Sequence, residues 1–263
     1  MIGGRQVWRA AVVALALVTA DASAQSAPGT QKPFEPVSGQ GGKDVVWVPT
    51  PQVTVDKMLE LTGVTASDYV IDLGSGNGIT VITAAKKGAT ALGVEFNPEM
   101  VALSQRLARE AGVSHKATFV QGDLFEADLS KATVITLFLL PDINLKLRPK
   151  LLDLKPGTRV ASNTFTMDDW EPDAREMLPN CTSWCTAMAW IVPAKVAGSW
   201  QLGQQVLTLS QQYQFISGAL GSAPISDGRL KGDEITFSAA GRTYTGRVSG
   251  TTMTGTGWSA TRK

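Results

Sequence analysis

Nine consecutive residues, Val70-Ile71-Asp72-Leu73-Gly74-Ser75-Gly76-Asn77-Gly78, put an acid two positions ahead of three alternating glycines. A run of this kind joins an apolar strand to the helix after it, where an open α/β sheet binds nucleotide-type ligands. Glycines there let the backbone turn sharply and approach a ligand with no Cβ in the way. The spacing departs from the dinucleotide fingerprint G-x-G-x-x-G, which after Gly74 and Gly76 needs glycine at position 79; that residue is Ile79. Two more acids end later strands, Glu95 on the second and Asp123 after the third. The first can accept from both hydroxyls of a ribose. The second can accept from the amino group of adenine while the N–H of Leu124 faces the ring. Three acids on three successive strand ends argue against a pyrophosphate at this site, because a pyrophosphate prefers bare backbone N–H groups.

Composition removes other chemistries. The chain has 263 residues, 24 Lys+Arg against 23 Asp+Glu, one His and two Cys. A formal charge of +1 argues against general binding of nucleic acid, which needs a basic stripe. One His and two Cys cannot complete a four-ligand His/Cys zinc site, so no metal site is expected. A Ser-His-Asp or Cys-His engine would depend on His115 alone, in a loop before the third strand, where a solvated role is expected. No catalytic residue is singled out.

The elements that position the acids alternate. Apolar runs predict strands over 69–73, 90–96, 117–121, 133–139 and 159–165. Helices are expected over 79–87 and from Asn97-Pro98 to Gly112, with Met100, Leu103, Leu107 and Ala111 on one face. Another is expected over 145–154, broken by Pro149. An earlier helix follows Thr50 as N-cap with Pro51 at the first helical position, and stops at Gly63. The alternation implies a parallel sheet covered by helices on both faces. From about residue 196 the texture is all strand: 198–202, 205–210, 213–220, 228–232, 234–239, 242–249 and 253–260, the pattern of a small β-meander or barrel. Trp200, Phe215, Phe237, Tyr244 and Trp258 are its expected core. Gly198-Ser199-Trp200 gives its start a lipocalin-like look.

At the N-terminus, Arg5 and Arg9 precede an apolar run over 10–18, too short to span a membrane, and Ala22-Ser23-Ala24 fits a cleavage site. Residues 1–24 therefore read as a signal peptide, with export to the periplasm or medium and no stable membrane insertion afterwards. Removing them takes away Arg5, Arg9 and Asp21 and brings the formal charge to zero. Residues 25–46, rich in Gly, Ser, Pro and Gln, read as a flexible lead-in. Cys181 and Cys185 are close enough to bridge in a turn and too far apart in a straight strand; free thiols remain open.

The D-x-G-x-G-x-G run resembles motif I of class I S-adenosylmethionine (SAM) methyltransferases. The likeness continues through Val48-Pro49-Thr50-Pro51, Met58-Leu59-Glu60-Leu61, Gly93-Val94-Glu95-Phe96-Asn97-Pro98, residues 137–142, Asn144, Leu147-Arg148-Pro149, Lys155-Pro156-Gly157-Thr158-Arg159-Val160 and Asp169-Trp170. Over about residues 46–194 the chain is similar to a bacterial group of exported class I methyltransferases related to the ATP synthase c-subunit lysine methyltransferase family. The resemblance implies a Rossmann-like, seven-stranded methyltransferase sheet over 47–194, with the β-module over 195–263. It implies SAM bound through Asp72, Gly74, Ser75, Gly76, Asn77, Gly78, Glu95, Asp123 and Leu124, with Thr50 at the methionine end and Asp72 on the ammonium.

The same resemblance implies methyl transfer to an amine, with protein lysine first and a small molecule second. Pro141, Asp142, Asn144 and Asn163 are the expected acceptor-side residues. Three departures stand out: Leu140-Pro141-Asp142 replaces the Asn/Asp-Pro-Pro-Tyr/Phe segment common in N-methyltransferases, Ser162-Asn163 replaces Ser-His, and Asp168 stands where glycine is usual. Methyl transfer needs alignment and water exclusion more than a strong base, so an enzyme is expected despite Asn163. The alternative is an exported, non-catalytic binding protein of the same fold that uses its β-module for partner contacts.

Overall fold

A computed structural model describes residues 1–4 and 34–263. The signal-peptide residues and the first part of the lead-in lie outside the described residues. The chain runs α1 (Gln52–Leu61), β1 (Tyr69–Leu73), α2 (Ile79–Lys86), β2 (Thr90–Glu95), α3 (Pro98–Glu110), β3 (Ala117–Gln121), β4 (Val134–Leu137), α4 (Pro141–Leu152), β5 (Arg159–Asn163), β6 (Ala174–Met177) and β7 (Thr186–Ile191). These strands form one seven-stranded sheet in the order β3-β2-β1-β4-β5-β7-β6, in which β7 runs antiparallel to its neighbours. It is the seven-stranded Rossmann-like sheet that the resemblance implied.

The central strands β1 and β4 are apolar along nearly their whole length because helices cover both faces. On one face Leu147 and Leu151 of α4 pack with Trp170 and Trp190. On the other, Val81 and Ala84 of α2 meet Val101 and Ala108 of α3. The strand order reverses direction at β1, with β2 on one side and β4 on the other, so a crevice opens at their carboxyl ends.

The second body is a closed antiparallel barrel. Its strands are β8 (Gly198–Leu202), β9 (Gln205–Gln212), β10 (Phe215–Leu220), the two-residue stub β11 (Ala223–Pro224), β12 (Ser226–Lys231), β13 (Glu234–Ala239), β14 (Arg242–Ser249), β15 (Thr252–Gly255) and β16 (Trp258–Arg262). Pairing runs in sequence order, apart from the stub, and β9 closes the ring by bonding both β8 and β10 while β16 bonds β8. Rings fill the interior: Phe237 stacks on Tyr244 at 4.9 Å, and Trp258 meets both edge-on. Phe215 belongs to the outside instead, where the Arg229 guanidinium lies over its ring.

Several local expectations need correction. Helix α4 starts at Pro141 and continues through Pro149; proline removes one N–H, and the packing of Leu147 and Leu151 keeps the helix in one piece. Thr50 makes no cap: Pro51 holds the N-cap position of α1, and the Thr50 side chain is buried toward the crevice. The strand expected over 253–260 is two strands, because Thr256-Gly257 turns the chain back on itself. The described part of the lead-in is not without structure: the N–H of Gly39 donates to the Trp47 carbonyl and the N–H of Trp47 to the Gln40 carbonyl, closing a small hairpin. Cys181 and Cys185 are bridged, with Cα atoms 5.7 Å apart. No helix among the described residues is long and apolar enough to cross a membrane.

Candidate active site

A cleft opens at the carboxyl ends of β1, β2 and β4. Its floor is the turn from β1 into α2. Gly78 ends that turn with φ 77° as N-cap of α2, and a Cβ there would sit 2.6 Å from the Phe119 ring. Only glycine supplies both the left-handed backbone and the space. Gly76 is crowded from the other side by Trp47 of the hairpin, whose indole nitrogen would lie 2.5 Å from an added Cβ.

Asp72, near the end of β1, is buried and accepts a hydrogen bond of 2.6 Å from the hydroxyl of Thr136 on β4. Burial pushes its carboxyl up to about 7; the Thr136 hydrogen bond opposes the rise and the nearby Glu95 charge adds to it. A buried acid in this state gains from a cation placed beside it. Glu95, the last residue of β2, spreads its carboxylate over two backbone donors: the N–H of Gly76 reaches one oxygen at 2.9 Å and the N–H of Asn97 the other at 2.9 Å. It thus ties the glycine turn to the start of α3, which Asn97 caps. Asp123, after β3, accepts from the N–H of Phe125 at 2.9 Å and pairs with Lys43 of the hairpin. The Lys43 ammonium and the Phe125 N–H hold the Asp123 carboxyl below its usual range. The same ammonium lies over the Phe96 ring, 5.1 Å from its centre.

Thr50, Asp72, Gly74, Ser75, Gly76, Asn77, Glu95, Asp123 and Leu124 all line this one cleft. Gly78 stands behind it, packed against Phe119 and Ser104. The four expected acceptor-side residues do not line it. Pro141 and Asp142 are exposed on the first turn of α4, while Asn144 and Asn163 are fully buried. Asn144 donates to the carbonyls of Phe165 and Thr166, at 3.4 and 3.2 Å, and Asn163 accepts from the Thr164 hydroxyl at 2.9 Å. Both hold the turn after β5. The cleft also takes residues given no site role from sequence: Lys43, Trp47, Met58, Phe96 and Phe138. Phe96 and Phe138 each directly follow a strand whose carboxyl end faces the crevice, and that position was the readable signal. Lys43 carried none. Among the described residues no group of three metal-ligating side chains stands together.

The model of the ANTKMT methyltransferase domain matches residues 72–174. A protein-lysine N-methyltransferase of Saccharolobus islandicus is 46% identical over 131 residues, covering 49% of this chain and 81% of that protein. The human lysine N-methyltransferase of the ATP synthase c-subunit is 39% identical over 105 residues, and here the match covers 40% of this chain and 45% of the relative. The crystal structure of an RNA methyltransferase from Salinibacter ruber, in complex with S-adenosyl-L-homocysteine, superposes with a TM-score of 0.54 at 47% identity, covering 57% of this chain and 96% of that one. The family-model match begins at Asp72 in β1 and takes in the glycine turn, Glu95 and Asp123. This chain is an enzyme that uses SAM, and it belongs to the class I SAM-dependent methyltransferases.

Proposed function

We propose that the enzyme methylates the side-chain amine of a lysine in a protein. The observation that carries this reading is the 46% identity to a protein-lysine N-methyltransferase over 81% of that relative's length. The Salinibacter ruber relative is described as an RNA methyltransferase. The near-zero charge of this chain favours a protein acceptor over RNA.

The residues of the cleft fit SAM. Asp72 is a buried carboxyl in want of a cation, and it takes the ammonium of the methionine part. Glu95, with one oxygen on Gly76 and one on Asn97, keeps lone pairs for the ribose hydroxyls. Asp123 and the Leu124 N–H take the adenine edge, which draws the Asp123 carboxylate away from Lys43. Thr50 and the backbone of 74–77 line the remaining wall.

When bound, SAM supplies a methyl carbon on a positively charged sulfur: the acceptor nitrogen's lone pair forms the new bond, the carbon–sulfur pair returns to sulfur, and the positive charge ends on nitrogen. The protein's share is alignment and exclusion of water. Met58, Phe138 and Leu139 make the wall beside Asp72 apolar. A lysine enters protonated, with a pKa of ~10.4, so it sheds its proton to water before transfer, helped by desolvation.

We further infer export, as the N-terminal residues suggest. The bridge between Cys181 and Cys185 supports an oxidising compartment. Two measurements test these readings. Incubation with SAM and lysine-containing proteins of the host should add about 14, 28 or 42 mass units to lysine in peptide mapping, one step for each methyl that replaces a hydrogen. Methyl appearing on RNA, or on no lysine, overturns the lysine reading. N-terminal sequencing of the protein from its host should begin at Gln25; a cytoplasmic chain beginning at Met1 overturns export.

A further inference from the structure

Three aromatic side chains gather at the carboxyl ends of β4 and β5, beside the cleft. Phe138 directly follows β4, Phe165 comes two residues after β5, and Trp184 stands two residues before β7. These strands are neighbours, and β7 runs opposite to β5, so its start lies beside the end of β5. The rings touch: Phe138 and Phe165 stack with centres 6.0 Å apart, and Trp184 meets them at 5.4 and 5.7 Å. Phe138 also lines the cleft that contains Asp72, so the cluster continues the cofactor site outward.

A purely structural cluster would be buried and relaxed, and this one is neither. Trp184 leaves 37% of its surface in water. Its backbone is held at φ 58°, and Thr164 beside Phe165 at φ 62°, which are left-handed conformations that bulky and β-branched residues avoid. Such strain persists only where surrounding contacts enforce it. The contacts are specific. The Phe165 carbonyl accepts from the Ser162 hydroxyl at 2.7 Å and from Asn144 at 3.4 Å. The Trp184 carbonyl accepts from the Thr54 hydroxyl of α1 at 3.0 Å, and the disulfide Cys181–Cys185 closes the short loop that carries the indole.

We propose that Phe138, Phe165 and Trp184 form the wall against which the acceptor's alkylammonium side chain lies, and that the Cys181–Cys185 disulfide positions Trp184 in it. This rests on the lysine reading and deepens it. The faces of the rings take the methylenes of the chain by apolar contact and the methylated product's cation by attraction to the π-system. Trp184 touches the acceptor's stem, the disulfide acts only by positioning Trp184, and neither takes part in bond making.

The test uses the full chain loaded with S-adenosylhomocysteine and N-acetyl-Nε-trimethyllysine methylamide as the probe, with binding read by calorimetry. Trp184→Leu and Phe138→Leu should each weaken the probe at least tenfold. Trp184→Phe should recover most of the loss, and the double variant Cys181→Ser/Cys185→Ser should lose a few-fold. Affinity for S-adenosylhomocysteine should stay within twofold in the Trp184 and cysteine variants, which also shows that they fold. Unchanged probe affinity in Trp184→Leu, or a parallel loss of S-adenosylhomocysteine affinity, overturns the wall. Failure of the wild-type chain to bind the probe overturns it too. If lysine methylation by the wild-type enzyme persists in those cases, the lysine reading stands alone; if it is absent, both fall.

Discussion

The hydroxyl of Thr136 donates to the carboxyl of Asp72 at 2.6 Å across the β1–β4 pair, and both side chains are shut away from water. Burial sets the Asp72 carboxyl at about 7 against an ordinary 3.8. SAM brings an ammonium that needs the carboxylate, so below pH 7 binding must first remove a proton. Affinity should therefore fall up to about tenfold for each unit of pH below 7 and level off above it. Calorimetry from pH 5.5 to 8.5 in buffers of different ionisation enthalpy should show the proton released. Thr136→Val removes a bond that favours the carboxylate and should move the midpoint upward. A flat profile would remove Asp72 from the ammonium site.

The same carboxyl sets a stability trend in the free enzyme. Its folded value lies above its unfolded value, so the native state binds the proton more tightly. Its contribution is fully present below about pH 3.8 and is lost as pH rises through about 7. Asp72→Asn, which stays neutral, should abolish this loss between those limits while destroying SAM binding. Thermal melts of both chains at pH 5 and pH 8 decide it: a difference that stays constant with pH would mean that Asp72 is charged throughout.

Glu95 holds two backbone donors as well as the expected ribose, so its replacement should act twice. Glu95→Gln turns one acceptor oxygen into a donor that faces an N–H. Loss of a charge-assisted hydrogen bond is worth about 1.5–3 kcal/mol, which is roughly ten- to a hundredfold in affinity. SAM affinity should fall by that factor, and the melting temperature should fall with it because the glycine turn loses its tie to α3. Retained affinity with a lowered melting temperature would leave Glu95 only the second role.

Two glycines separate backbone strain from crowding. Gly78 and Gly112 have similar backbones, φ 77° and 72°, but a Cβ meets Phe119 at 2.6 Å at the first and nothing within 4 Å at the second. Gly112→Ala should cost about 1 kcal/mol, from conformation alone. Gly78→Ala should cost roughly 1–3 kcal/mol more from overpacking and should weaken SAM binding as the turn shifts. Urea unfolding measures both; equal losses would mean that Phe119 simply moves aside.

Asp72, Glu95 and Asp123 were readable because each is a local event, an acid at the end of an apolar run, and the sheet places strand ends side by side. Lys43 was not, since it reaches Asp123 across 80 positions in a segment with no apolar period. Asn144 and Asn163 stand at the positions expected of acceptor groups, yet their side chains turn inward to hold a turn, and a residue's direction out of a strand end is a tertiary matter. Asp168, where the resemblance led glycine to be expected, is held at φ 59°, a left-handed backbone that suits glycine. Edge strand β6 escaped notice because three of its four residues are exposed and no alternation shows. The stretch 253–260 kept its alternation through a turn, and one strand was expected where the barrel has two.

Tyr213 joins the barrel to the sheet. Its hydroxyl donates to Asp169 at 2.9 Å, its ring stacks on Trp170 at 5.9 Å, and the Arg148 guanidinium, itself bonded to Asp169, lies 5.5 Å over it. Asp169 is largely exposed, so the hydroxyl contributes little, and Tyr213→Phe should cost about 0.5–1 kcal/mol. Tyr213→Ala removes the stack and should cost about 2 kcal/mol. Other bonds between the two bodies include Arg229 to Asp173 at 2.9 Å, Lys195 to Asp153, and the Gln214 amide donating to the Glu171 carbonyl at 2.8 Å. With the stack gone, a calorimetric scan should resolve two transitions where the wild-type chain and Tyr213→Phe give one. A single transition in Tyr213→Ala would place the coupling elsewhere, at the bond from the Ala194 N–H to the Gly232 carbonyl and the close approach of Gly232 to Gly157.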